Sequence, residues 1–287
     1  MNLWRTARFD LDLSRPRVMG IVNVTPDSFS DGGGRVDLAA ACAHCERLAA
    51  DGADLLDIGG ESTRPGAVAP DLAEELARVL PVVRHALTLG LPVSVDTSAT
   101  EVMRAVLDAG ADIVNDVRAL TRPGALAAVG AHPRAGVCLM HLRGEPATMQ
   151  QLADYDDVVA EVGQYLAGRV QAAQAAGIAA ERVVVDPGIG FAKTPAHNLA
   201  LLARQRELLA LGRPLLVGWS RKSTLGVVTG RAVAGRLAAS VAAAVMAVER
   251  GAAVVRVHDV AATVDALRLW CAVTGGGRGR IDTPTHS

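Results

Sequence analysis

Short apolar runs rich in Val, Ile and Leu recur at 18–22, 54–58, 92–95, 112–114, 136–140, 182–185, 214–217 and 253–257, and read as eight candidate strands. Between them lie segments with a helical apolar period, among them 38–50, 72–87, 158–176, 198–211 and 237–249. Strands alternating with helices imply parallel pairing. The joints repeat a device: Gly52-Ala53-Asp54 and Gly110-Ala111-Asp112 each stop a helix on Gly and open a strand, and Gly251-Ala252-Ala253 repeats it without the Asp. The pattern predicts one α/β domain, a single (β/α)8 TIM barrel over 17–274, favoured over an open doubly wound sheet by the strand count and by the polar pattern below. A short N-terminal extension, 1–16, alternates loosely through Leu3, Phe9, Leu11 and Leu13, which fits a hairpin closing the barrel floor. The tail, 275–287, has no apolar period and is expected to be disordered.

Composition narrows the classes of function. Half of the 287 residues are hydrophobic but only 3% are aromatic, so the core is built from small and branched aliphatics and a base-stacking surface is not expected. Twenty-nine Lys and Arg against 30 Asp and Glu leave a net charge of −1, too little to draw nucleic acid or an anionic membrane. Any anion site must be local. The amino terminus has no apolar signal region, and no apolar run reaches about 18 residues, so a cytosolic protein is expected. Cys42-Ala43-His44-Cys45 is a lone C-x-x-C without the further ligands of a zinc site, and the cysteines read as reduced packing residues.

A polar group follows each apolar run: Asn23, Asp57 with Glu61-Ser62-Thr63-Arg64, Asp96, Asn115, His141, Asp186, Ser220-Arg221-Lys222, and Arg256 with His258. From Asn23 to Arg256 the steps are 34, 39, 19, 26, 45, 36 and 34 residues, most of them the length of a βα unit. In a barrel all strand C-termini face one mouth, so these groups converge on one ligand. Taken singly, an Asp or Asn at a strand end is more often a loop cap, His141 a satisfied core histidine, and Arg221-Lys222 an exposed basic pair; the shared face is what raises them together. Asp96, Asn115, Asp186 and Lys222 offer planar donors and acceptors suited to a polar heterocycle. Arg64, Arg256 and His258, with Asn23 and Thr63 beside them, form a cationic group suited to a diphosphate. Ser223, at a helix start, suits a carboxylate.

Two longer motifs carry a resemblance. Met19-Gly20-Ile21-Val22-Asn23-Val24-Thr25-Pro26-Asp27-Ser28-Phe29-Ser30-Asp31-Gly32-Gly33 resembles the first signature of the dihydropteroate synthases, and Asp57-Ile58-Gly59-Gly60-Glu61-Ser62-Thr63-Arg64-Pro65-Gly66 the second. Shorter matches continue through Val95-Asp96-Thr97, Asn115-Asp116, Leu139-Met140-His141, Asp186-Pro187-Gly188, Ser220-Arg221-Lys222-Ser223 and Arg256-Val257-His258-Asp259. The resemblance implies a pterin pocket of Asp96, Asn115, Asp186 and Lys222, walled by Met140 and Phe191, with Arg256 against the ring. It implies a diphosphate site of Asn23, Thr63, Arg64, Arg256 and His258, with Asn23 on the magnesium side. It places p-aminobenzoate near Lys222 and Ser223, with loops 25–36 and 60–69 closing over it through Phe29 and Pro65, and it makes a homodimer the expectation. Asp96, Arg64 and Lys222 are the catalytic candidates. One departure is Gly190-Phe191-Ala192-Lys193, where the family commonly has Gly at the third position; the methyl group matters only if position 192 needs a positive φ.

The implied reaction joins the pterin's exocyclic CH2 to the aryl amine with diphosphate leaving, by a dissociative route in which Asp96 stabilises the developing cation. A pterin-dependent methyltransferase shares the pterin carboxylate and amide but has no use for the first loop or the Arg256/His258 pair. A non-catalytic paralogue is the remaining alternative.

Overall fold

A computed structural model describes residues 2–25, 37–61 and 70–275. The chain opens with two short strands, β1 (Leu3–Arg5) and β2 (Asp10–Asp12), paired antiparallel. Parallel strands follow: β3 (Arg17–Asn23), β4 (Leu55–Gly59), β5 (Val93–Asp96), β6 (Ile113–Asp116), β7 (Gly136–Met140), β8 (Val183–Asp186), β9 (Leu215–Val217) and β10 (Ala252–Val257). Each pairs with the next, and β10 pairs with β3 to close an eight-stranded barrel. The connections carry the helices α1 (Leu38–Ala50), α2 (Leu72–Leu87), α3 (Thr100–Asp108), α4 (Ala125–Ala131), α5 (Val158–Ala175), α6 (Pro195–Ala203), α7 (Ser223–Thr229), α8 (Leu237–Glu249) and α9 (Val260–Thr274). The predicted barrel is the observed one. Among the described residues no helix is long and apolar enough to cross a membrane. Most of the tail, 276–287, lies outside the described residues.

The Gly-Ala-Asp joints explain both the helix stops and a correction to two strand starts. Gly52, Gly110 and Gly251 take φ of +93°, +104° and +93°, a left-handed turn that a side chain would strain. The Asp that follows does not enter the strand. Asp54 accepts the Val18 N–H at 2.9 Å and pairs with Arg15 and Arg17, while Asp112 accepts the Val93 N–H at 2.9 Å and pairs with Arg8. Each ties off an amide at the start of a neighbouring strand, the second of β3 and the first of β5, at the barrel floor. The helix expected over 198–211 starts earlier, because the Thr194 hydroxyl accepts the His197 N–H and Pro195 occupies the first turn; it tightens into a 3-10 segment, Gln205–Leu211.

Inside the barrel the strand period of two sets the position of everything functional. Met19, Leu55, Ile113, Cys138, Val184, Leu216 and Val254 form a buried apolar layer, packed from below by Trp4 and Leu13. Two residues further along the same strands come Asp57 above Leu55, Asn115 above Ile113, Met140 above Cys138, Asp186 above Val184 and Arg256 above Val254. The apolar layer is therefore a floor under the polar one. Trp4 closes it: the side chain is fully buried, and its indole N–H donates to the Arg182 carbonyl at 3.0 Å.

Trp4→Ala removes the plug and orphans that carbonyl, and should cost roughly 3–5 kcal/mol of stability. A urea titration reads this as a lower midpoint; a loss under about 1 kcal/mol would mean that the hairpin is not part of the barrel core.

Candidate active site

The mouth is organised by a buried ion-pair network. Asp57, with no exposed surface, accepts the Arg256 Nε–H at 2.6 Å and the Asn115 amide N–H at 3.0 Å. Arg256 uses its second arm on Asp96, at 3.0 Å. Burial works against the Arg256 charge, but Asp57 and Asp96 outweigh it and raise its pKa further. Asp96 is raised, chiefly by burial, with Arg256 opposing and Asp57 and Glu61 adding to the rise. Arg256, which the resemblance implies for both the pterin pocket and the diphosphate site, is clamped between carboxylates from β4 and β5.

Asp186 ends β8 and accepts the Gly188 N–H at 2.7 Å. Burial lifts its pKa to about 6, against the Gly188 hydrogen bond, Lys222 and Arg256. Lys222 stands at the start of α7, its ammonium 4.2 Å from the centre of the Phe191 ring. Burial and Arg256 lower it to about 8, with Asp186 and Asp96 holding it up. Met140 belongs to an apolar cluster with Val117, Leu142, Met149 and Ala192, and Phe191 packs against it. Asp96, Asn115, Asp186, Lys222 and Arg256, with Met140 and Phe191 as wall, are thus one site. Asn23 ends β3 level with Gly59, which is in turn level with Asp96. Ser223 is exposed beside Lys222.

Other expectations need correction or lie elsewhere. His141 is not in the mouth: it follows the inward Met140 by one position, so it points to the other face of the sheet. There it accepts from the Lys193 ammonium at 2.9 Å and meets Tyr165 edge-on at 4.9 Å. His258 is not cationic. Its Nδ1 lies 2.9 Å from the Ser220 hydroxyl, and burial with Arg256 and Arg221 pushes it down to about 3. Arg221 turns outward to pair with Asp259 at 2.6 Å. Thr63, Arg64, Phe29 and Pro65, and all but the first residues of the two loops expected to close, lie outside the described residues. Position 192 does take a positive φ, +50°, with its methyl fully buried. The strain of about 1–2 kcal/mol is largely offset by burial of that methyl, worth about 0.8 kcal/mol, and by the entropy that Gly would lose. Two groups not singled out for this role are central: Asp57 as anchor, signalled by a carboxylate inside an apolar run, and Lys193, which had no signal beyond its place in a motif.

Chemically, the mouth presents a carboxylate, an amide and an ammonium in one buried to half-buried ring, an arrangement that suits a flat, polar, hydrogen-bonding heterocycle. Holding Asp186 ionised at neutral pH costs the fold on the order of 3 kcal/mol. The sign follows from the raised pKa: stability is greatest while the carboxyl is protonated and is lost as pH rises through about 6. A ligand that donates to Asp186 offsets this cost.

The chain matches the model of the family described as pterin binding enzyme over residues 19–258. A dihydropteroate synthase of Neisseria meningitidis is 50% identical over 275 residues, covering 94% of this chain and 96% of that one. Among solved structures, the Xanthomonas albilineans dihydropteroate synthase with 4-aminobenzoic acid superimposes with a TM-score of 0.90 at 54% identity, covering 95% of this chain and 98% of that one. The same enzyme with 7,8-dihydropteroate gives a TM-score of 0.85 at 52% identity, over 93% and 97% of the two chains.

Carbon-13 NMR of the Asp carboxyls in the ligand-free protein should place the Asp186 midpoint near 6, and Lys222→Met should raise it. A midpoint in the ordinary range near 4 would contradict the burial argument.

Proposed function

Because the chain belongs to the pterin-binding enzymes, and within them to the dihydropteroate synthase family, we propose that its barrel mouth joins a dihydropterin diphosphate to p-aminobenzoate. The observation that carries this reading is the ring of buried Asn115 and Asp186 with half-buried Asp96 and Lys222 over an apolar floor. Asp186 accepts from the pyrimidine edge of the pterin, Asn115 and Lys222 complete the contacts, and Met140 and Phe191 bound the ring. Arg256 is held in place by Asp57 and Asp96 and covers the ring face.

The bond between the pterin CH2 and the diphosphate oxygen breaks, a carbon–nitrogen bond forms to the aryl amine, and the amine gives up a proton. Asp96, already polarised by Arg256, stabilises positive charge spreading into the ring, an interaction that strengthens toward the transition state. Asn23, Thr63, Arg64, Arg256 and His258 are proposed for the diphosphate. Asn23 offers one hard amide oxygen, which fits magnesium, a cation that takes most of its ligands from phosphate oxygens and water. Magnesium, when bound, neutralises charge on the diphosphate. Lys222, Ser223, Phe29 and Pro65 are proposed for p-aminobenzoate, Ser223 through its hydroxyl on the carboxylate.

A homodimer is also proposed. Val227, Val228, Val233, Leu237, Met246, Leu269 and Val273 leave exposed apolar surface on and around α7, α8 and α9, which a second copy of the chain would cover, as a hydrodynamic mass can check.

Formation of dihydropteroate should require both substrates together with magnesium. Lys222→Ala should lower its rate by at least roughly a hundredfold, while Arg221→Ala, whose side chain faces Asp259, should lower it far less. Dihydropteroate formed without magnesium, or equal losses in the two variants, would count against the assignment.

A further inference from the structure

Between β8 and α6 the chain makes a turn, 187–192, that is costly to hold. Gly188 and Gly190 take φ of +69° and +84°, and Ala192 is also left-handed at +50°. The turn is packed too closely to shift freely: a Cβ on Gly188 would lie 2.1 Å from the His141 carbonyl oxygen, and one on Gly190 3.1 Å from the Lys222 Cδ. It carries the orientation of Asp186, through the Gly188 N–H, and the Phe191 ring beneath the Lys222 ammonium.

Lys193 holds this turn from below. Its side chain is 3% exposed, so its charge is not presented to solvent. The ammonium donates to the Gly188 carbonyl at 3.0 Å, to the Phe191 carbonyl at 2.9 Å and to His141 Nδ1 at 2.9 Å. An ammonium has three donors, and all three are used. The acceptor role fixes His141 as the tautomer with its proton on Nε2. Burial pulls Lys193 down to about 7, opposed by Asp186, and the same burial with Lys193 and Arg143 holds His141 neutral at about 3. Neighbours complete the clamp: Gln150 donates to the Gly190 carbonyl at 3.0 Å and Tyr155 to the Ala192 carbonyl at 3.0 Å. Asn198 accepts the Gly190 N–H at 2.8 Å and donates to Thr224 at 2.9 Å, which links the turn to the segment bearing Lys222.

We infer that Lys193, with His141 as its acceptor, is a positioning residue for the pterin side of the site, acting on Asp186 and Phe191 through the 187–192 turn. The inference rests on the pterin reading above. Lys193 touches no reacting atom, so its loss should relax the turn and weaken pterin binding without slowing the chemistry of pterin already bound.

Calorimetry with 6-hydroxymethyl-7,8-dihydropterin and steady-state kinetics with both substrates test this on Lys193→Met and His141→Leu. For Lys193→Met the pterin Kd and KM should rise roughly 10- to 100-fold, with kcat at saturating pterin within about threefold and the KM for p-aminobenzoate nearly unchanged. His141→Leu leaves both backbone bonds in place and should raise the pterin Kd in the same direction but less. The double variant should be no worse than Lys193→Met, since both act on one clamp. Unchanged pterin Kd in Lys193→Met, or a loss confined to kcat, overturns the inference. If Lys193→Met does not fold, His141→Leu decides, and a wild-type Kd overturns it. Failure of the unaltered protein to bind the pterin overturns the pterin reading itself, a result distinct from equal binding by protein and variant.

Discussion

A carboxylate with no exposed surface, Asp57, is the constraint on which the rest of the mouth depends. Taking a charge out of water costs several kcal/mol, and only close, hydrogen-bonded partners repay it. Asp57 therefore dictates where the Arg256 guanidinium and the Asn115 amide must sit. Once Arg256 is fixed, its second arm sets the position of Asp96. One Asp57 oxygen, Oδ1, remains buried without a partner among the described residues, so the anchor is not fully satisfied by the free protein. Removing Asp57 leaves Arg256 with Asp96 alone and takes from the Asn115 amide its carboxylate acceptor.

The same economy runs through the pterin side. Asp186, Lys193 and Lys222 are all held with pKa values displaced toward neutrality by burial. For Asp186 and Lys222 this is a cost to the folded state that a bound ligand can reduce. Much of the binding energy for a flat heterocycle is thus prepared in advance, as groups already stripped of water and already aimed.

The barrel was legible because the strands are short apolar runs at βα spacing, and the site because a period of two stacks a polar residue above four of the seven apolar floor residues. Asp57, Asn115, Asp186 and Arg256 stand two positions beyond Leu55, Ile113, Val184 and Val254. That rule also explains His141, which directly follows an inward residue and so faces outward. What sequence did not convey was pairing. Nothing in the spacing says that Arg256 spends its charge on Asp57 and Asp96, or that burial keeps His258 neutral, because both follow from distances across the barrel. Lys193 was hidden for a related reason: its acceptors are two backbone carbonyls and a histidine from another strand.

The central claim is that the Asp57 charge organises the site, and Asp57→Asn tests it with little change of shape. The measurement is the rate of diphosphate release with both substrates and magnesium present, on protein whose circular dichroism matches the unaltered chain. With Arg256 no longer anchored, the rate should fall by at least roughly a hundredfold. A rate close to that of the unaltered protein would show that Arg256 and Asn115 find their places without the buried charge, and the account would be wrong at its root.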